Sequence, residues 1–114
     1  MGSLAPVWGL PVANQPGEKV VLSRTLAKDK KTILFFHAPW SKTSGRYLVE
    51  LDAWAKSHPE YKVVQVDVKT LKSAVAKQFK LDEVPAFQFY NEKGELSKTG
   101  QEAHNEITKL LQTP

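Results

Sequence analysis

The sequence predicts an α/β domain, a central mixed five-stranded sheet flanked by helices on both faces. Three observations carry that expectation. Val63-Val64-Gln65-Val66-Asp67-Val68 is rich in β-branched residues and nearly continuous in apolarity, as a strand covered on both faces must be. An earlier apolar stretch, Thr32 to His37, is separated from it by Tyr47, Leu48, Leu51, Trp54 and Ala55 at helical spacing, so a helix links two parallel strands. Late in the chain, Phe87-Gln88-Phe89-Tyr90 meets the turn residues Asn91-Glu92-Lys93-Gly94 and a short segment near Glu95 to Thr99, the pattern of an antiparallel hairpin.

Residues 1–17 carry Pro6, Gly9, Pro11, Pro16 and Gly17, with Trp8 and Leu10 between them. Proline removes donors and glycine adds backbone freedom, so a helix or a central strand is not expected there. This N-terminal arm either lies across the domain, anchored through Trp8, or is loose, and the domain itself is assigned to residues 18–114. Lys19 to Leu22 reads as the first strand and Ser23 to Lys28 as a brief helix. Thr32 to His37 is the second strand. A long helix from about Thr43 to Ser57 stops before Pro59, because proline excludes helical backbone in the residue preceding it. The Val63–Val68 strand follows, and Leu71, Val75 and Phe79 mark a third helix. The hairpin and a closing helix with Ile107, Leu110 and Leu111 on its apolar face complete a β-α-β-α-β-α-β-β-α order.

Composition narrows the function. One hundred and fourteen residues suit one compact domain, and 41% hydrophobic with 25% charged residues exclude a disordered chain. The central apolar run, Ile33 to Phe36, is too short to cross a bilayer, and no charged segment followed by an apolar stretch opens the chain. A cytoplasmic protein with no membrane partner is expected. There is no cysteine, which excludes disulfides, cysteine metal sites and thiol catalysis. His37, His58 and His104 are scattered and none pairs with an acid at metal-ligand spacing, so neither metal nor cofactor is expected. The net charge is +4. Basic and acidic residues interleave, with only a small cluster at Lys28, Lys30 and Lys31, which describes a solvated surface rather than a nucleic-acid patch. The balance gives a mild preference for acidic partners that salt weakens.

The most informative stretch is Trp40-Ser41-Lys42-Thr43-Ser44. An apolar strand enters it through Ala38-Pro39, a helix pattern leaves it, and further along Val84-Pro85-Ala86-Phe87 heads another apolar strand. From Lys19 to Leu111 this arrangement resembles the thioredoxin family, and it implies the thioredoxin fold. The resemblance places Ser41 and Ser44 at the positions of the family's nucleophilic and resolving cysteines. In such enzymes the first thiol lies at the helix start, where free N–H groups and the helix dipole stabilise its thiolate, and the second resolves the mixed disulfide. A serine hydroxyl stays protonated near neutral pH and cannot form the sulfur–sulfur bond, so disulfide exchange is expected to be absent. Phe35 stands where thioredoxins have a buried carboxylate. Lys42-Thr43 replaces Gly-Pro or Gly-His, Val49 replaces a helix-kinking proline, and His37 occupies a site usually held by an aromatic residue. Trp40, Val84-Pro85 and Gly100 match the family pattern. The resemblance also implies a cis bond before Pro85, and a Val84 backbone beside the reactive loop that pairs with extended peptide.

Other readings compete residue by residue. Ser41 and Thr43 are good helix N-caps, and capping is their leading role. A Ser-His hydrolase built from Ser41 or Ser44 with His37 lacks a third group to orient the imidazole and a glycine-rich oxyanion turn. His58 is expected at the terminal carbonyls of the long helix, and Tyr47 and Trp54 in packing. Trp40 is the aromatic expected to face a partner. Two functions follow. In the first, a monomer without thiol chemistry binds a protein or peptide at a groove formed by Trp40, Lys42, Thr43, Val84 and Pro85. In the alternative, the protein is a thiol–disulfide oxidoreductase whose two active-site cysteines have been replaced by serine in this chain. The changes at Phe35, Lys42-Thr43 and Val49 favour the first, since a simple cysteine replacement would leave those positions alone.

Overall fold

β1 (Lys31–His37) forms the middle of the sheet because Thr32 to Phe36 are all fully enclosed. Successive side chains of a strand point to opposite faces. Ile33 and Phe35 accordingly enter one apolar cluster, and Leu34 and Phe36 the other. In the computed structural model, which describes residues 9–112, β2 (Tyr61–Asp67) pairs with β1 in parallel, Ile33 opposite Val63. β3 (Ala86–Tyr90) runs antiparallel on the other side of β1, Phe35 opposite Phe87. β4 (Leu96–Lys98) pairs antiparallel with β3, so the sheet order is β2-β1-β3-β4.

Helices seal both faces. Leu51 and Trp54 of α2 (Lys42–Lys56) and Ala103 and Ile107 of α4 (Gly100–Gln112) pack on Ile33, Phe35, Val63, Phe87 and Phe89. Val75 and Ala76 of the short α3 (Ala74–Gln78) pack on Leu34, Phe36, Val64, Val66 and Tyr90. The hairpin between β3 and β4 is closed by Asn91, whose Oδ1 accepts from the N–H groups of Lys93 and Glu95, both at 2.9 Å. Gly94 supplies the positive φ of +82° that this turn requires. At the end of α2, His58 Nδ1 lies 2.8 Å from the Trp54 carbonyl and its ring stacks on the Trp54 indole at 4.1 Å. A carbonyl can only accept, so Nδ1 carries the proton.

The strand count corrects the sequence expectation: among the described residues there are four strands, not five. Lys19 to Leu22 does not join the sheet. Val20 is buried as a strand residue would be, but its N–H and C=O are held by the side-chain carboxamide of Gln78, at 2.8 and 2.9 Å. One side chain thus takes the place of a neighbouring strand, and α1 (Leu22–Thr25) begins two residues later. The free edge of β2 is instead met by residues 11–13. Ala13 donates to the Gln65 carbonyl and Gln65 donates to the Pro11 carbonyl, both at 2.9 Å, with Val12 in a parallel bridge to Gln65. Leu10 is buried in the first cluster, while Trp8, the expected anchor, lies outside the described residues.

Candidate functional site

The loop between β1 and α2 is shaped by three backbone-level contacts. Ala38 is buried, and its carbonyl accepts from the Ser41 amide at 3.0 Å, turning the chain out of the sheet. Ser41 has extended backbone and is the N-cap of α2: its Oγ accepts from the Ser44 amide at 3.1 Å and its carbonyl from the Gly45 amide at 3.2 Å. Trp40 is 58% exposed, yet its indole is fixed, because Nε1 donates to the Lys69 carbonyl at 2.7 Å. Lys69 itself has a φ of +65° and donates its N–H to Asp67 Oδ1 at 2.9 Å. Lys42 and Thr43 are exposed on the first turn of the helix.

Ser44 differs from Ser41 in every respect. It is 1% exposed, and its Oγ is buried without a hydrogen-bond partner among the described residues. His37 Nε2 is in the same position, its ring stacked on Phe35 at 5.3 Å. Phe35 is itself stacked on Phe87 at 5.4 Å, and Tyr47 meets Phe87 edge-on at 5.3 Å, so an aromatic row fills the space under the loop. His37 makes no hydrogen bond to Ser41 or Ser44. A nucleophile–base pair for hydrolysis is therefore not assembled.

Opposite the start of α2, the Val84–Pro85 peptide is cis and leads into β3. Among the described residues, nothing engages the Val84 N–H or C=O, because the β1–β3 ladder ends at Phe36 opposite Ala86. Thr43, Val84 and Pro85 together line a cleft of about 380 Å³. Its second wall comes from α4, through Gln101 and His104, and its outer lip carries Asp82 and Glu83. His104 lies against Tyr47 and Phe87, with ring centres 5.9 and 5.7 Å away. Gln88 and Thr99 close the floor, with Gln88 Nε2 donating to Thr99 Oγ1 at 3.2 Å and the Tyr90 hydroxyl donating to Gln88 Oε1 at 2.7 Å. Burial raises the Tyr90 phenol above its ordinary value of 10.0.

Of the residues singled out from sequence, the structure brings Thr43, Val84 and Pro85 into one cleft. Trp40, Ser41, Lys42 and Ser44 do not line it. Trp40 leans instead toward the loop after β2. Gln101 and His104 were not foreseen, and their one signal is that His104 borders the buried stripe of Ala103 and Ile107 on α4. Among the described residues no three His, Asp or Glu side chains are grouped to hold a metal ion, and no helix is long and apolar enough to cross a membrane.

The family model described as Thioredoxin matches residues 17–113. Among solved structures, this chain is similar to thioredoxin f from spinach chloroplast, with a TM-score of 0.67 at 15% identity over 96% of each chain. It is similar to thioredoxin f2 of Chlamydomonas reinhardtii, with a TM-score of 0.69 at 14% identity over 90% of this chain and 94% of that one. Thioredoxin of Fasciola hepatica superposes with a TM-score of 0.57 at 21% identity over 72% of this chain and 82% of that one. No curated protein sequence matches the chain.

Proposed function

Because this chain belongs to the thioredoxin family and has no cysteine, we propose that it is a binding member of that family, one that holds an extended peptide or protein segment in the cleft beside Val84 and Pro85. Disulfide exchange needs a thiolate to attack and a second sulfur to leave, and the chain contains neither. The observation that carries the binding reading is the unengaged backbone of Val84 at the edge of the cleft. One N–H and one C=O there fit the addition of an extended strand, in which main-chain hydrogen bonds supply affinity and neighbouring side chains supply selectivity. Thr43, Gln101 and His104 offer the selective contacts from the opposite wall, and Trp40 and Lys42 extend the surface along the loop that leads to Thr43. On this reading the protein is a cytoplasmic monomer whose partners are proteins or peptides.

The test is selection from a displayed library of cysteine-free decapeptides, followed by backbone N-methylation of a selected peptide one residue at a time. Strand addition predicts a sharp loss of affinity, about tenfold or more, at the single peptide amide that donates to Val84, since a hydrogen bond in the complex is removed and a buried carbonyl left unpaired. Affinity indifferent to methylation at every position would overturn strand addition.

One observation favours a second reading, in which the protein is a dithiol oxidoreductase with both cysteines replaced by serine. The Ser44 hydroxyl is enclosed without a partner, a poor fit for oxygen and a good one for a less polar sulfur. Ser41→Cys/Ser44→Cys is expected to reduce insulin disulfides weakly with dithiothreitol as the reductant. The two introduced thiols would close into a disulfide as one insulin disulfide opens, and dithiothreitol would return them to the reduced form. A fully inert double variant that still folds would set this reading aside.

A further inference from the structure

The protein as a whole is basic, at +4, but the lip of the cleft has the opposite sign. Asp82 and Glu83 are both exposed, immediately precede Val84, and line the cleft. Neither carboxylate has an ion pair or a hydrogen bond among the described residues, although the chain has sixteen lysines and arginines to offer. Lys80 and His104 are the other ionisable groups lining the cleft, and Thr43, Gln88, Thr99 and Gln101 add neutral polar side chains to it. Two unpaired carboxylates beside an unengaged strand edge form one composite surface.

We infer that the cleft selects extended peptides carrying a lysine or arginine next to the residue that pairs with Val84. The inference rests on the reading of the cleft as a peptide site and adds the chemical class of its occupant. The general preference for acidic partners that the net charge suggests does not decide the matter at this range. At physiological salt, charges further apart than about 8 Å are largely screened, so a bound side chain is governed by the groups that touch it. Alternate residues of an added strand share a face, so the basic residue is expected at the paired position's immediate neighbours rather than scattered along the peptide.

The experiment uses a decapeptide selected from the cysteine-free library and replaces each position in turn by arginine and by glutamate. Affinities are read by fluorescence anisotropy at low and at molar salt. Next to the Val84-paired residue, arginine is expected to bind about three- to tenfold more tightly than glutamate at low salt, the range of one or two exposed ion pairs. The preference should vanish at 1 M salt and in Asp82→Asn/Glu83→Gln, a pair of exposed, near-isosteric changes that breaks no ion pair or side-chain hydrogen bond among the described residues. Equal affinity for the two peptides, a glutamate preference, or an arginine preference that survives Asp82→Asn/Glu83→Gln would overturn the inference while leaving strand addition standing. Failure of the library to yield any binding peptide would overturn both.

Discussion

The hydroxyl of Ser41 accepts the Ser44 amide at 3.1 Å and closes the first turn of α2, whereas the hydroxyl of Ser44 is enclosed and bonds to nothing among the described residues. The same functional group should therefore have opposite effects on stability at the two positions. Removing an N-cap oxygen leaves an orphan amide at the helix start and costs about 0.5–2 kcal/mol. Removing a buried hydroxyl that has no partner relieves a desolvation penalty of about 1–3 kcal/mol, offset by the small void left behind. Ser41→Ala is expected to lower the free energy of urea unfolding and Ser44→Ala to leave it unchanged or raise it. A loss at Ser44→Ala equal to that at Ser41→Ala would show that the Ser44 hydroxyl is bonded after all.

At the scale of elements, residues 9–17 and the β2 edge form the joint that the sequence describes least well. Asn14 holds that joint: its Nδ2 donates to the carbonyls of Glu18 and Asp67, at 2.7 and 3.0 Å, and its Oδ1 accepts from the Asp67 amide at 3.0 Å. Asn14→Ala is expected to cost about 1–3 kcal/mol, because it strips partners from backbone groups at the sheet edge. The Asp67 amide should then exchange with solvent faster relative to the amides at the centre of β1, as native-state hydrogen exchange would report. Unchanged relative protection at Asp67 would show that the joint does not depend on Asn14. The misread first strand has the same origin. Lys19 to Leu22 looks like a strand because of its Val20-Val21-Leu22 run, but the groups that satisfy Val20 come from Gln78, which no local pattern in the sequence connects to it. The proline-rich arm is not expected to form a helix or a central strand because proline lacks a donor, and the edge contact it makes needs only a carbonyl from Pro11 and an amide from Ala13. What is legible is what local chemistry fixes: the N-cap at Ser41, the doubly covered run of β2, and the turn at Asn91 to Gly94. The cleft is half legible through the resemblance to thioredoxins, not through local chemistry. That resemblance sets Thr43 beside Val84 and Pro85, while Gln101 and His104 reach the cleft only through the way α4 packs on β3.

For the molecule as a whole, the second core closes around a titratable group, and its stability should carry a mark of that at high pH. Tyr90 is 6% exposed, packs among Leu34, Phe36 and Val64, and donates its hydroxyl proton to Gln88 Oε1 at 2.7 Å. Burial raises its pKa above the ordinary 10.0, because the phenolate would have to lose its hydration. Below pH 10 both the folded and the unfolded chain hold the proton, and this contribution to stability is fully present. Above pH 10 the unfolded chain releases the proton while the folded chain keeps it. The folded state then binds more protons, and the unfolding free energy falls as pH rises toward the folded-state pKa. Other groups respond to alkaline pH as well, so the informative quantity is the difference between the native chain and Tyr90→Phe. At neutral pH Tyr90→Phe should be less stable by about 1 kcal/mol, the usual worth of the lost hydrogen bond to Gln88. As pH rises from 9.5 to 11 the native chain should lose stability faster than Tyr90→Phe, and the gap between the two should close. Urea-unfolding curves at half-unit pH steps measure it directly. Two curves that stay parallel across that window would mean that the Tyr90 phenol ionises as easily inside the fold as outside it, and that this core admits water.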